Sequence, residues 1–198
     1  RERGKAMQNA VPVGDGMMLA VMGIDLFQLN KFINDRKNKK GVCEIANDNS
    51  DGQIIISGDK NSILLFQNFL KENKIKTIPL NVSAPFHCSL MKPASDIMKE
   101  KIKNTNFKKP NKKIISNVTA EEVMDPNKIK DLLVEQIYST VKWRESVINI
   151  FNMGISNFIE IGPGKVLSSM VKRTVKDTSC FSVNTIDDIK FFNDKFKK

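Results

Sequence analysis

Apolar positions in the first part of the chain switch between strand and helix spacing. Residues 17–22 (MMLAVM) form an unbroken apolar run of strand length. Residues 25–37 place Phe27, Leu29, Phe32 and Ile33 on a partial apolar helix face. Gly41 restarts the chain, and 42–46 reads as a second strand, the polar run NDNSDG at 47–52 as a turn, and QIIIS at 53–57 as a β-branched third strand that Gly58 ends. Asp59 or Asn61 caps a helix carrying Ile63, Leu64, Phe66, Phe69 and Leu70, and 75–80 is a fourth strand. The order βαββαβ is that of the ferredoxin-like split βαβ unit, so 14–81 is predicted as a small domain inserted into something larger.

The later pattern predicts helices at 93–103, 128–138, 143–153 and 166–173, strands at 113–116, 158–161 and 180–183, a GPG loop at 162–164 and a basic tail. The class is α/β with few strands. So small a sheet, in a chain that starts RERGKAMQ without Met, leads us to expect further strands before Arg1.

One residue draws the chemistry to itself. His87 is the only histidine among 198 residues, and it follows an extended segment shaped by Pro85 and precedes a helix start at Pro93. An imidazole with an ordinary pKa of about 6.5 suits a general base, and a loop at a strand end is where such residues often sit. A lone histidine is also often no more than a packed or surface side chain.

Composition narrows the classes. No apolar run approaches bilayer length and no signal peptide is evident, and Cys43, Cys88 and Cys180 lack metal-site or disulfide-framework spacing. A reducing cytoplasm is the expectation. The net charge of +10 invites a polyanionic partner, but dispersed lysines among many Asn and Ile are also what biased base composition produces.

Nucleophilic acyl chemistry needs a hydroxyl or thiol, a base, and a group that holds the base's other nitrogen. No GxSxG elbow occurs. Cys88 is next to His87 and in extended backbone points the opposite way; it reads as a packed small residue, and Ser83 and Ser89 as turn formers. The GPG loop could cradle phosphate through its amides or serve only chain geometry.

Five segments recur in an order that carries a resemblance: RGKAMQNAVP at 3–12, NDNSDGQIIISG at 47–58, VSAPFHCSLMKPA at 82–94, VEQIYSTVKW at 134–143 and EIGPGKVLSSMVKR at 160–173. Together they resemble the bacterial malonyl-CoA:acyl carrier protein transacylase family, over its later part. The resemblance implies an acyltransferase fold in which 1–13 and 82–198 form part of an α/β-hydrolase-like large domain and 14–81 the ferredoxin-like small domain. It implies His87 as the base that activates a serine, Gln136 as the residue whose backbone carbonyl holds the imidazole's other nitrogen, and Arg3 as the grip on the malonyl carboxylate. It also sets Phe86 beside the acyl group, at a position where relatives selective for methylmalonyl carry serine.

Two departures stand out: the family's GHSLG and GQGxQ segments are absent, and Asp51 replaces the proline of an NSPGQ turn. The chain alone is therefore expected to be inactive, and to act as part of a cytoplasmic, monomeric malonyltransferase of fatty-acid synthesis. Its substrates would be malonyl-CoA and the phosphopantetheine thiol of acyl carrier protein, with no cofactor or metal, no nucleic acid and no membrane. A non-catalytic remnant or carrier-protein binding module is the alternative. An RNA-binding ferredoxin-like domain would need exposed aromatics on the central strands, and QIIIS has none.

Overall fold

The computed structural model describes residues 1–35 and 41–196. Its elements follow as α1 (Glu2–Asn9), β1 (Gly16–Met22), α2 (Leu26–Asn34), β2 (Cys43–Ser50), β3 (Gln53–Asp59), α3 (Lys60–Glu72), β4 (Lys76–Pro79), α4 (Lys92–Lys103), β5 (Ile114–Ile115), β6 (Glu122–Val123), α5 (Pro126–Glu135), α6 (Trp143–Asn152), β7 (Asn157–Ile161), α7 (Val166–Thr174), β8 (Ser179–Val183) and α8 (Ile186–Phe196). Two compact units divide the chain, Arg1–Ser146 and Val147–Lys198.

In the first unit β1 to β4 form one antiparallel sheet in the order β2-β3-β1-β4, as a βαββαβ chain requires. The unbroken apolar runs are explained by burial on both faces. Leu19, Val21, Ile54 and Ile56 point one way into a core with Leu29 of α2 and Ile63, Phe66 and Leu70 of α3. Met18, Ala20 and Ile55 point the other way and pack with Ala46, Leu80 and Phe86. Asp25 and Asp59 cap α2 and α3 through their carboxylates.

Several boundaries differ from the sequence reading. The helix predicted over 25–37 is observed as Leu26–Asn34, and its predicted end at Arg36 and Lys37 lies outside the described residues. The polar run at 47–52 is mostly strand: β2 continues through Ser50 with two register shifts against β3, leaving Asp51 and Gly52 as the turn. Its polarity is accommodated because the buried Asp48 carboxylate meets Arg144. Gly58 lies within β3, and a β-carbon there would overlap the Val42 carbonyl. α5 stops at Glu135, short of the predicted 138, where Ile137 turns into the core.

In the second unit β7 and β8 pair in parallel, from Asn157↔Ser179 to Ile161↔Val183, with α7 as the crossover. The predicted basic tail is the helix α8, opened by Asp187 and Asp188, with the Asp188 carboxylate accepting from the amides of Asn184 and Thr185. Its lysines accompany the apolar spacing of Ile186, Ile189 and Phe192. Among the described residues, no helix is long and apolar enough to cross a membrane.

Candidate active site

The loop after β4 is set by small, close contacts. Pro85 is fully buried and packs against Gly16 at the start of β1, where a β-carbon would overlap the proline ring. The Cys88 thiol, also fully buried, donates to the Pro85 carbonyl at 3.1 Å. Between them His87 takes φ 60°, a left-handed backbone that few residues with a β-carbon adopt. Ser89–Met91 then makes a 3-10 turn that leads into α4.

This conformation turns the imidazole toward the end of α5. Nδ1–H of His87 donates to the Gln136 carbonyl at 2.8 Å. A carbonyl oxygen only accepts, so Nδ1 carries the proton and the neutral ring leaves Nε2 with a free lone pair. Burial lowers the His87 pKa, the Gln136 carbonyl opposes that shift, and the positive charge of Arg3 adds to it. The group is a neutral acceptor at pH 7.

Arg3 projects from α1, exposed at the surface, although the chain around its guanidinium desolvates it enough to lower its pKa. Among the described residues, no carboxylate lies within ion-pair distance of it. Phe86 is half-buried and packs at once on the outer sheet face and on a cluster built from Ala6, Met7, Ala84, Met91 and Ile137. A cavity of about 610 Å³ opens beside β2, lined by Ile33, Glu44, Ile45, Phe66, Tyr138 and His87 among others. Of the four candidate residues it reaches only His87.

Other candidates are otherwise engaged. Burial pushes the Cys88 thiol up, away from thiolate. The Ser83 hydroxyl accepts from Gln8 Nε2, and the Ser89 hydroxyl donates to Glu44 at 2.6 Å. In the GPG loop Gly162 donates to the Val183 carbonyl and Gly164 to the Asn184 side chain, while Glu160 occupies the amides of Leu167 and Ser168 at the start of α7. These four amides are taken by the chain itself rather than open to a phosphate. Among the described residues, no group of three or more His, Cys, Asp or Glu is placed to hold a metal ion.

Residue type alone makes His87 a candidate and does not single out Gln136, Arg3 or Phe86. Gln136 meets His87 through a backbone atom that every residue has, and Arg3 stands on α1, a helix that the apolar spacing does not predict; only the recurring segments point to these two.

Comparison with known proteins gives a consistent picture. The family described as acyl transferase domain matches residues 2–190. The malonyl CoA-acyl carrier protein transacylase of Bacillus subtilis (strain 168) is 41% identical over 191 residues, which is 96% of this chain and 60% of that protein. The crystal structure of the Clostridium perfringens ATCC 13124 malonyl CoA-acyl carrier protein transacylase superposes with a TM-score of 0.93 at 35% identity, covering 99% of this chain and 62% of the other. A malonyl-transacylase solved in complex with its type II PKS acyl-carrier protein has a TM-score of 0.91 at 33% identity, covering 98% and 62%. The chain thus spans about 60% of the length of the relatives it matches.

Proposed function

The chain belongs to the acyl transferase domain family, and from that membership we propose that it supplies the base, the base-orienting carbonyl and the carboxylate grip of a malonyl-CoA:acyl carrier protein S-malonyltransferase. The observation that supports this most is the 2.8 Å bond from His87 Nδ1–H to the Gln136 carbonyl, with the lowered pKa that keeps Nε2 free.

In this reading Nε2 of His87 takes the proton of a serine that these residues do not supply, as its oxygen attacks the thioester carbonyl of malonyl-CoA. The tetrahedral intermediate collapses, the C–S bond breaks, and the imidazolium returns the proton to the CoA thiolate. The phosphopantetheine thiol of acyl carrier protein then gives its proton to Nε2, attacks the acyl-serine, and releases the serine with that proton. The Gln136 carbonyl fixes the ring in one tautomer through both halves and steadies the imidazolium without a formal charge. Arg3 pairs with the free malonyl carboxylate, and its lack of a carboxylate partner among the described residues fits a group waiting for an anion. Phe86 crowds the carbon between the two carbonyl groups, and since its ring also packs two clusters, Phe86→Ser raises methylmalonyl use relative to malonyl at a cost in stability.

The test joins this chain to the part of the Bacillus subtilis relative that it does not match and follows malonyl transfer from malonyl-CoA to the carrier thiol. His87→Ala lowers the rate roughly 10²- to 10⁴-fold, and Arg3→Ala loses malonyl transfer while gaining relative acetyl transfer. A folded fusion without malonyl transfer, or an unchanged rate in His87→Ala, overturns the reading. An RNA-binding reading finds no support, because the sheet face opposite α2 and α3 is buried at Met18, Ala20 and Ile55 rather than open to bases.

A further inference from the structure

Strand β2 bonds to the segments that follow His87 and Gln136, not to those two residues themselves. On one side the Glu44 carboxylate accepts from the Ser89 amide at 2.8 Å and the Ser89 hydroxyl at 2.6 Å, two residues past His87. On the other, the Thr140 hydroxyl donates to the Ile45 carbonyl at 2.6 Å, the Val141 amide to the Ala46 carbonyl at 2.8 Å, and the Asp48 amide to the Val141 carbonyl at 3.0 Å. Residues 44–48 therefore bind the segment that follows the base and the segment that follows its acceptor.

We propose that Glu44 is a positioning residue for His87: by clasping Ser89 it holds the loop at the separation from Gln136 that β2 sets, and so keeps the proton on Nδ1 and the lone pair on Nε2. A left-handed histidine persists only where its surroundings over-determine it. Pro85 and Cys88 hold the loop from before and beneath. Beyond His87, Glu44 is the charged group that fixes the chain, with both its oxygens in use. A helix-capping role alone would account for the Ser89 amide, but not for a clasp whose own strand also pairs with the segment beyond Gln136.

The chemical meaning of the proposal rests on the transferase reading, but its test does not. His87 is the chain's only histidine, so ¹⁵N-histidine labelling gives one imidazole to observe. At pH 8 the unmutated chain shows the Nδ1–H tautomer with a slowly exchanging Nδ1 proton. Glu44→Ala mixes the tautomers and speeds that exchange about 10-fold, as the Nδ1–H bond to the Gln136 carbonyl loses about the net worth of one hydrogen bond. Glu44→Gln, which keeps an oxygen for the Ser89 amide, restores most of the signature. Ser89→Ala removes only the hydroxyl arm and moves the signature part of the way, a readout that remains if Glu44→Ala does not fold. A folded Glu44→Ala with unchanged tautomer and exchange, even with a lower melting temperature, overturns the proposal, and so does an unchanged Ser89→Ala. An unmutated chain in the Nε2–H tautomer would also overturn the proposal, together with the hydrogen bond under the transferase reading, whereas malonyl transfer, measured separately, bears on the transferase reading alone.

Discussion

At the scale of single residues, His87 combines a left-handed backbone, costing about 1–2 kcal/mol for a residue with a β-carbon, with a ring that loses water on burial. Unfolded, the imidazole titrates near 6.5, and folded it titrates lower. The unfolded chain therefore binds more protons between those two values, so stability is full above about 6.5 and is lost as pH falls from there through the folded value. Denaturant unfolding at pH 7.5 and 5.5, above the usual carboxylate range, should show this loss, and His87→Asn, whose side chain tolerates the left-handed backbone, should lessen it; equal losses in both would refute the assignment. In an NMR titration Arg3→Ala should raise the His87 pKa, because a neighbouring positive charge is removed. The histidine was legible in the sequence because its chemistry belongs to its side chain. The Gln136 carbonyl leaves no trace in residue type, and Arg3 reads in the sequence as one solvated charge among many.

At the scale of elements, the strands of the sheet were legible because burial on both faces forces unbroken apolar runs such as MMLAVM and III. The second half of β2 was not, since NDNS has the composition of a turn, and the buried Asp48 within it is matched by Arg144 of α6, 96 positions away. Arg144 meets both oxygens of the buried Asp48 at 3.0 Å, and reaches the exposed Asp51 at 3.4 Å. The first contact dominates, because an exposed pair contributes at most about 1 kcal/mol. Arg144→Met should cost about 3–5 kcal/mol by leaving the Asp48 carboxylate buried and unpaired. Combining it with Asp48→Leu should recover most of that loss in equilibrium unfolding. A double variant no more stable than the single one would show that the pair holds more than its own charges.

At the scale of the whole molecule, the element order of the sheet was legible from local spacing, whereas the links that hold the imidazole join distant stretches that no local pattern connects. Glu44 reaches Ser89 across 45 positions, His87 reaches Gln136 across 49, and Thr140 reaches Ile45 across 95. The pairing of β2 with β3, by contrast, closes over a two-residue turn. Loop closure costs more for the longer links, so the two kinds of contact have different places in time. The hairpin and the core beneath α3 can form while the chain is still being made, but the carbonyl that accepts from the imidazole exists only once residue 136 has emerged, and its tie to β2 only after residue 141. Pulsed hydrogen exchange during refolding should protect the β3 amides before that of Val141, and simultaneous protection would contradict this order. A nascent chain halted before residue 136 would carry the histidine and a formed sheet, yet its imidazole would lack the carbonyl that holds it in one tautomer.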